Sequence, residues 1–345
     1  MKQARQASYR QVWVAVFVAL LAPAAALPAV AGRFGPAGWL GVVLVIPFSL
    51  LYIKLLERLG GDGLGAALNT RWGWLGKVLA AVYYLWVMAL AALTAGGCVD
   101  RLGRTDYGEV PGWLAAALLG LVAAYLVHRG WGAFFRAVEV FFLALVVTVA
   151  FFLLLGVVNL NGANLAVQSL PEAVAGAGSL WPGLAALGTG TVGAFAPHEP
   201  RRPGESGGGR WLTLWCLVAA GLCALVIGTL GAGLTARAPL PFFLALQGIG
   251  FPGGFQRLEA MGTAAWVLSD LALIGLAALA GAELAGGKRR WTWPILLAAV
   301  AGGLWLPNRV VAAAQEWLWW VNVVLGLAVP ALAALTGGRK SPGSG

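Results

Sequence analysis

Apolar residues run along this chain in blocks near 20 residues, parted by short polar stretches. No block shows the strict two-residue alternation of a barrel strand. Each therefore reads as a helix able to cross a hydrocarbon core about 30 Å thick. The pattern predicts ten spans, at about 11–32, 37–58, 74–97, 112–128, 131–158, 181–198, 211–236, 258–285, 291–307 and 316–336. Tryptophans stand at many of the ends (Trp39, Trp72, Trp74, Trp113, Trp131, Trp181, Trp211, Trp291, Trp317), where an amphipathic ring prefers the membrane–water interface. The first block is too long, and its flanks are wrong, for a cleaved signal peptide; it reads as the first span. The fold class is an all-α integral membrane protein.

Two blocks are interrupted. The first contains "LLAPAAALP", which puts Pro23 and Pro28 at its centre. Proline donates no N–H, and its ring clashes with the carbonyl one turn back. The sixth, "WPGLAALGTGTVGAFAPHEP", holds Gly188, Gly190 and Gly193 with Thr189 and Thr191 between them. Its formal G-x-G-x-x-G has no preceding strand and lies in hydrocarbon, so a dinucleotide loop is excluded. Small residues also serve close helix packing, which is the competing explanation of these glycines. Gly188 follows Pro23 by 165 residues, close to half the chain. Spans one and six thus open two halves of five spans each. Because five is odd, the second half is inverted relative to the first. Paired interrupted helices in inverted halves point to a transporter-type site, where bare backbone serves a ligand.

The polar positions set the sidedness. With the N-terminus in the cytoplasm, 17 of the 23 Lys and Arg lie inside. The six outside are Arg33, Arg101, Arg104, Arg237, Arg257 and Arg309. This obeys the positive-inside rule, so the net charge of +10 needs no nucleic acid to explain it. Two outer connections are long: residues 98–111, of mixed charge, and 237–257, apolar with Gly and Pro at both ends, an external lid. The expected organisation is a cytoplasmic segment at 1–10, five-helix repeats at 11–158 and 159–336, and a disordered cytoplasmic tail at 337–345. The composition, 60% hydrophobic and 10% charged, agrees, since soluble domains carry roughly 25% charge. Cys98, Cys216 and Cys223 have no metal-ligand spacing. No cofactor or metal is expected.

Four stretches carry a resemblance: "SYRQVWVAVFVALLAPAAALPAVAGRFGPAGWL", "LGKVLAAVYYLWVMALAA", "RAVEVFFLALVV" and "FQRLEAMGTAAWVLSDLALIGL". In order and spacing they resemble the spore-germination permease family, the B subunits of germinant receptors, within the amino-acid/polyamine/organocation transporter superfamily. The resemblance implies a ten-span, five-plus-five inverted repeat of leucine-transporter-like form, with helices one and six broken. It also implies a small germinant, commonly an amino acid, and partner subunits of the A type and the lipoprotein C type. The family's span six carries a Gly-Glu step; Thr189 to Phe195 here holds no acid.

Candidate residues follow. Asp270 stands 13 residues past Arg257, roughly 20 Å of rise, which places it near the midplane. A carboxylate there faces a cavity or a partner; a ligand amine, a cation, a proton or a purely positioning bond all fit. Trp266 and Ser269 flank it. Ala22, Ala24, Ala25, Leu27, Gly188, Thr189, Gly190, Thr191 and Gly193 line the two breaks, and Tyr84 offers a hydroxyl. Arg136 and Glu139, three apart on span five, form a gate or structural pair; Arg257 and Glu259 latch the lid or mark the interface. No nucleophile–base pair is visible, so an enzyme is not expected. The expected function is a germinant-receptor subunit in the inner membrane. The alternative is a secondary transporter of amino acids or amines coupled to H+ or Na+ through Asp270.

Overall fold

The computed structural model describes residues 7–59, 63–104, 110–199, 201, 205, 207–248, 258–306 and 317–336. Helix α1 (Tyr9–Ala24) starts at a capping box: the Gln11 amide donates to Ser8 Oγ, and the Ser8 amide to the Gln11 side chain, both at 3.2 Å. Such a box satisfies two N–H groups that the first turn leaves orphaned. Thirteen of its 16 residues are buried. A helix apolar all round belongs inside, and α1 packs against α7 (Trp131–Val158), α10 (Gly208–Leu230) and α13 (Leu258–Leu284). Of the long helices α13 is the most enclosed, with 83% of its most apolar window buried against 22% for α7. The axis of the bundle is therefore α1 with α13, and α7 is peripheral.

Proline and glycine punctuate the helices where backbone chemistry requires. After Pro23, α1 ends and Ala25–Ala26 turn; α2 (Leu27–Gly32) then starts with Pro28 in its first turn, where a missing N–H costs nothing. The second apolar block divides at Leu44 into α3 (Gly38–Val43) and α4 (Val45–Leu56). The ring of Pro47 would meet the Val43 carbonyl in an unbroken helix. Helix α5 (Gly63–Arg104) bends at Gly73, whose φ of 53° suits glycine alone. It then runs on through Arg104. This corrects the expected third span, which stopped at 97: residues 98–104 are helix, not connection. Helix α6 (Gly112–His128) agrees with the fourth block.

In the second half, the short helix α8 (Leu170–Ala177) precedes α9 (Leu180–Thr189). After Thr189 the chain tightens into a 3-10 segment, Gly190–Phe195. Span six is thus overwound at its glycines, not opened into bare backbone. Gly231 (φ 77°) separates α10 from α11 (Ala232–Arg237), and α12 (Pro241–Gln247) follows. The expected lid is described only to 248, and in that part α12 packs Phe242 against Trp266, the rings tilted by 46° with centroids 4.6 Å apart. Helices α14 (Thr292–Trp305) and α15 (Trp317–Thr336) complete the bundle. Within α15, Val324–Ala328 winds in the wider π form. Pro330 explains this, because it cannot donate to the Gly326 carbonyl four residues back.

No named strand occurs among the described residues. Six segments among the described residues are long and apolar enough to cross a membrane: Gly38–Leu59, Gly63–Arg104, Trp131–Val158, Gly208–Leu230, Ala260–Leu284 and Trp317–Thr336. Tyr9–Ala24 and Gly112–His128 are shorter apolar helices. The chain is an all-α integral membrane protein.

Candidate functional site

The break in α1 leaves carbonyls that an intact helix would satisfy. One of them, Leu21 O, is taken by a side chain from a neighbouring helix, and two more side chains reinforce carbonyls just before the break. Trp215 Nε1 donates to Leu20 O at 2.9 Å, Trp266 Nε1 to Leu21 O at 2.8 Å, and Ser269 Oγ to Val18 O at 2.6 Å. All three side chains are fully buried. A buried carbonyl without a donor costs about 1–3 kcal/mol, so these bonds make the interruption tolerable. Trp266 and Ser269, singled out in the sequence, here serve the backbone of α1. Trp215 escaped sequence reasoning: nothing distinguishes it from the tryptophans at helix ends.

Beside the break lies a cavity of about 550 Å³. Ala22, Pro23, Ala25, Leu27 and Val30 form one wall; Leu90, Leu93, Thr94, Gly97 and Arg101 of α5 form a second. Pro182, Ala186 and Thr189 of α9, Asp270 of α13, and Leu318 and Asn322 of α15 close it. Of the sequence-selected residues, Ala22, Ala25, Leu27, Thr189 and Asp270 meet here.

Asp270 pairs with Arg101 of α5 across the cavity floor. The Asp270 side chain is 2% exposed and that of Arg101 is 14%, and the Cys98 thiol lies against both. Sequence reasoning had put Arg101 in an external loop. The signal that finds it is the helical spacing of Thr94, Gly97, Arg101 and Arg104, which continues α5 past the last apolar residue. Asp100 and Arg104 form a second pair, 2.8 Å apart.

The remaining residues of the sixth span pack rather than face the cavity. A Cβ at Gly188 would collide with the Asn322 carbonyl, and one at Gly193 with Val16; Gly190 meets Leu20 and Val16. Ala24 is fully buried in the core. Thr191 and Tyr52 both bond the Gly326 carbonyl that Pro330 leaves without a donor, and each other. The Tyr83 hydroxyl donates to Leu325 O at 2.6 Å. Tyr84 turns elsewhere, to Trp291 O at 2.9 Å.

The opposite end of α1 is sealed. Tyr9 donates to Glu57 at 2.7 Å and accepts from the Gly208 amide at 3.1 Å. The His198 ring meets Tyr9 edge-on at 5.6 Å, and the Glu199 amide bonds Ala7 O at 2.9 Å. Arg136 and Glu139 do not face each other: Arg136 donates to Gly132 O, while Glu139 accepts from Gln11. Both ends of that expected pair have nearer partners, and Glu139 ties α7 to α1. Arg257 and the side chain of Glu259 lie outside the described residues.

With this geometry in view, the comparisons with known proteins become informative. The family of spore germination proteins matches residues 6–167. That stretch of the chain is similar to the family. It runs from the start of α1 through α7, and so includes the Pro23 break and Arg101, while Asp270 lies beyond it. No curated protein matches the chain. Among solved structures, two mutants of the manganese transporter of Eremococcus coleocola share its fold. One has a TM-score of 0.57 at 15% identity, covering 98% of this chain and 81% of that one. The other has a TM-score of 0.53 at 15% identity, covering 95% and 75%. The chain is a transporter-like membrane protein with a spore-germination signature.

Proposed function

We propose that this chain is the membrane-embedded subunit of a spore germinant receptor. In this reading it binds a small nutrient, an amino acid or similar, in the cavity beside the α1 break. Binding there signals to partner subunits of the A and C types. The observation that carries the reading is the cavity itself, flanked by the first helix of one half and α9 of the other, in a chain with a spore-germination signature. The same reading takes the fold as ten spans in two inverted five-helix repeats, 11–158 and 159–336, with both termini in the cytoplasm. The cavity then faces outward, and the Tyr9 seal closes the cytoplasmic side. It assigns no catalysis to the chain. It leaves Asp270 as the charge that holds the cavity floor.

A cavity-filling substitution tests this. In a spore-forming host, Leu93→Trp should abolish the response to nutrient while the chain still reaches the membrane. Normal germination with Leu93→Trp would overturn the proposal. The transporter alternative shares the architecture. Uptake of labelled amino acid by proteoliposomes of the isolated chain, lost in Asp270→Asn, would decide for it.

A further inference from the structure

The cavity lining holds four guanidinium groups, Arg33, Arg101, Arg104 and Arg237, and two carboxylates, Asp100 and Asp270. Among the described residues the difference is two positive charges, and it stays positive without Arg33, which has an interaction of its own. Both carboxylates are already held by arginines of α5, Asp270 by Arg101 and Asp100 by Arg104. An amine or a metal cation entering here would meet a field of its own sign, and could reach a carboxylate only by displacing a guanidinium. A carboxylate meets the opposite situation. Arg101 uses Nη2 on Asp270 and has further N–H donors in its planar fork. It is the more exposed member of the pair, so it stands between Asp270 and the cavity space. Asp270 orients it from behind, and the fork geometry suits a planar anion.

Apart from Thr94, Thr189 and Asn322, the rest of the lining is apolar, with Leu27, Val30, Leu90, Leu93, Phe243 and Leu273 the bulky members. We infer that the guest is a small organic acid with an apolar body, recognised through its carboxylate by Arg101, and that an amino group on it is not required. This rests on the reading of the cavity as a ligand site, and it names the chemistry of that site. Among the described residues no group of three His, Cys, Asp or Glu side chains could hold a metal ion. With more guanidinium groups than carboxylates in its lining, the cavity of this chain favours an anion even though the solved structures that share its fold are of a manganese transporter. Arg104 and Arg237 lie in the exposed part of the lining and draw the anion in, an effect that salt screens.

The charge preference can be measured before the guest is known. A cysteine at Thr94, which lines the cavity, is reacted in the purified full-length chain with an anionic and a cationic methanethiosulfonate. Rates are corrected for the unsubstituted protein and divided by those for a free thiol. The expected anion-to-cation ratio is tenfold or more above the free thiol, falling at least threefold in Arg237→Gln and further in Arg101→Gln. Because Arg237 is exposed, its variant keeps the test valid should Arg101→Gln fail to fold. In the same Thr94→Cys protein, 4-methylpentanoate should slow labelling by a neutral maleimide, and 3-methylbutylamine should not.

A ratio at or below the free thiol overturns the inference, as does protection by the amine, or by neither compound. Failure of both charged reagents to react would instead show that the cavity is closed to small molecules. That result overturns the ligand-site reading itself.

Discussion

Arg101 and Asp270, 169 residues apart, form a buried ion pair that ties α5 to α13 beneath the break in α1. Asp270 is 2% exposed, so solvent reaches little of its carboxylate. Removing one partner of such a pair leaves a buried charge uncompensated, at a cost of about 3 kcal/mol or more. Asp270→Ala should lower the melting temperature of the detergent-solubilised protein accordingly. The double variant Arg101→Leu with Asp270→Leu should lose less than the sum of the single losses. Additive losses would show that the pair is not coupled.

The carbonyl of Leu21 depends on Trp266. The amide of Ala25, its donor in an unbroken helix, is directed to Pro23 O instead. Trp266→Phe retains a ring but removes the indole donor, and should cost about 2 kcal/mol. Ser269→Ala should cost less, because Val18 lies before the break and its helical donor remains. Equal effects in thermal unfolding would contradict this division of labour.

Glycine at 188 is a packing requirement. An added Cβ collides with backbone of α15, which cannot move aside as a flexible side chain could. Gly188→Ala should therefore destabilise by about 2 kcal/mol. Gly103, near the end of α5, has nothing within 4 Å of an added Cβ, and Gly103→Ala should be neutral or stabilise by up to ~1 kcal/mol. A tolerated Gly188→Ala would return the glycines of span six to a ligand-facing role.

Tyr9 seals one end of α1 with a single hydroxyl that both donates and accepts. Tyr9→Phe removes both bonds and leaves the ring. A cysteine at Val12, buried at 2% exposure, should then react faster with a membrane-impermeant maleimide applied to the Tyr9 side. An unchanged rate would mean that the seal rests on packing alone.

How much of the site was legible in the sequence depended on the range of each interaction. Pro23, Gly188 and Asp270 were visible because each violates a local rule: a broken ladder, a loosened helix, a carboxylate in hydrocarbon. What each break becomes was not visible. At the α1 break Trp266 takes the Leu21 carbonyl, and Trp215 and Ser269 bond carbonyls just before it, so the backbone there serves packing rather than a ligand. The glycines of span six close against α1 and α15 rather than opening a helix. Arg101 was assigned to a loop because hydropathy ends before the helix does, and a charged last turn looks like a connection.

The sequence by itself determined that this is an all-α membrane protein, where its helices break, and which family its first stretch resembles. Those are properties of composition, of proline's missing N–H and of residue order, and they need no neighbour in space. Only the tertiary structure decided the partner of each polar group: Arg101 for Asp270, an indole for a carbonyl, a tyrosine for the π turn. Where water is absent, a polar group must take whatever partner packing brings within reach, and packing joins residues that the chain holds far apart.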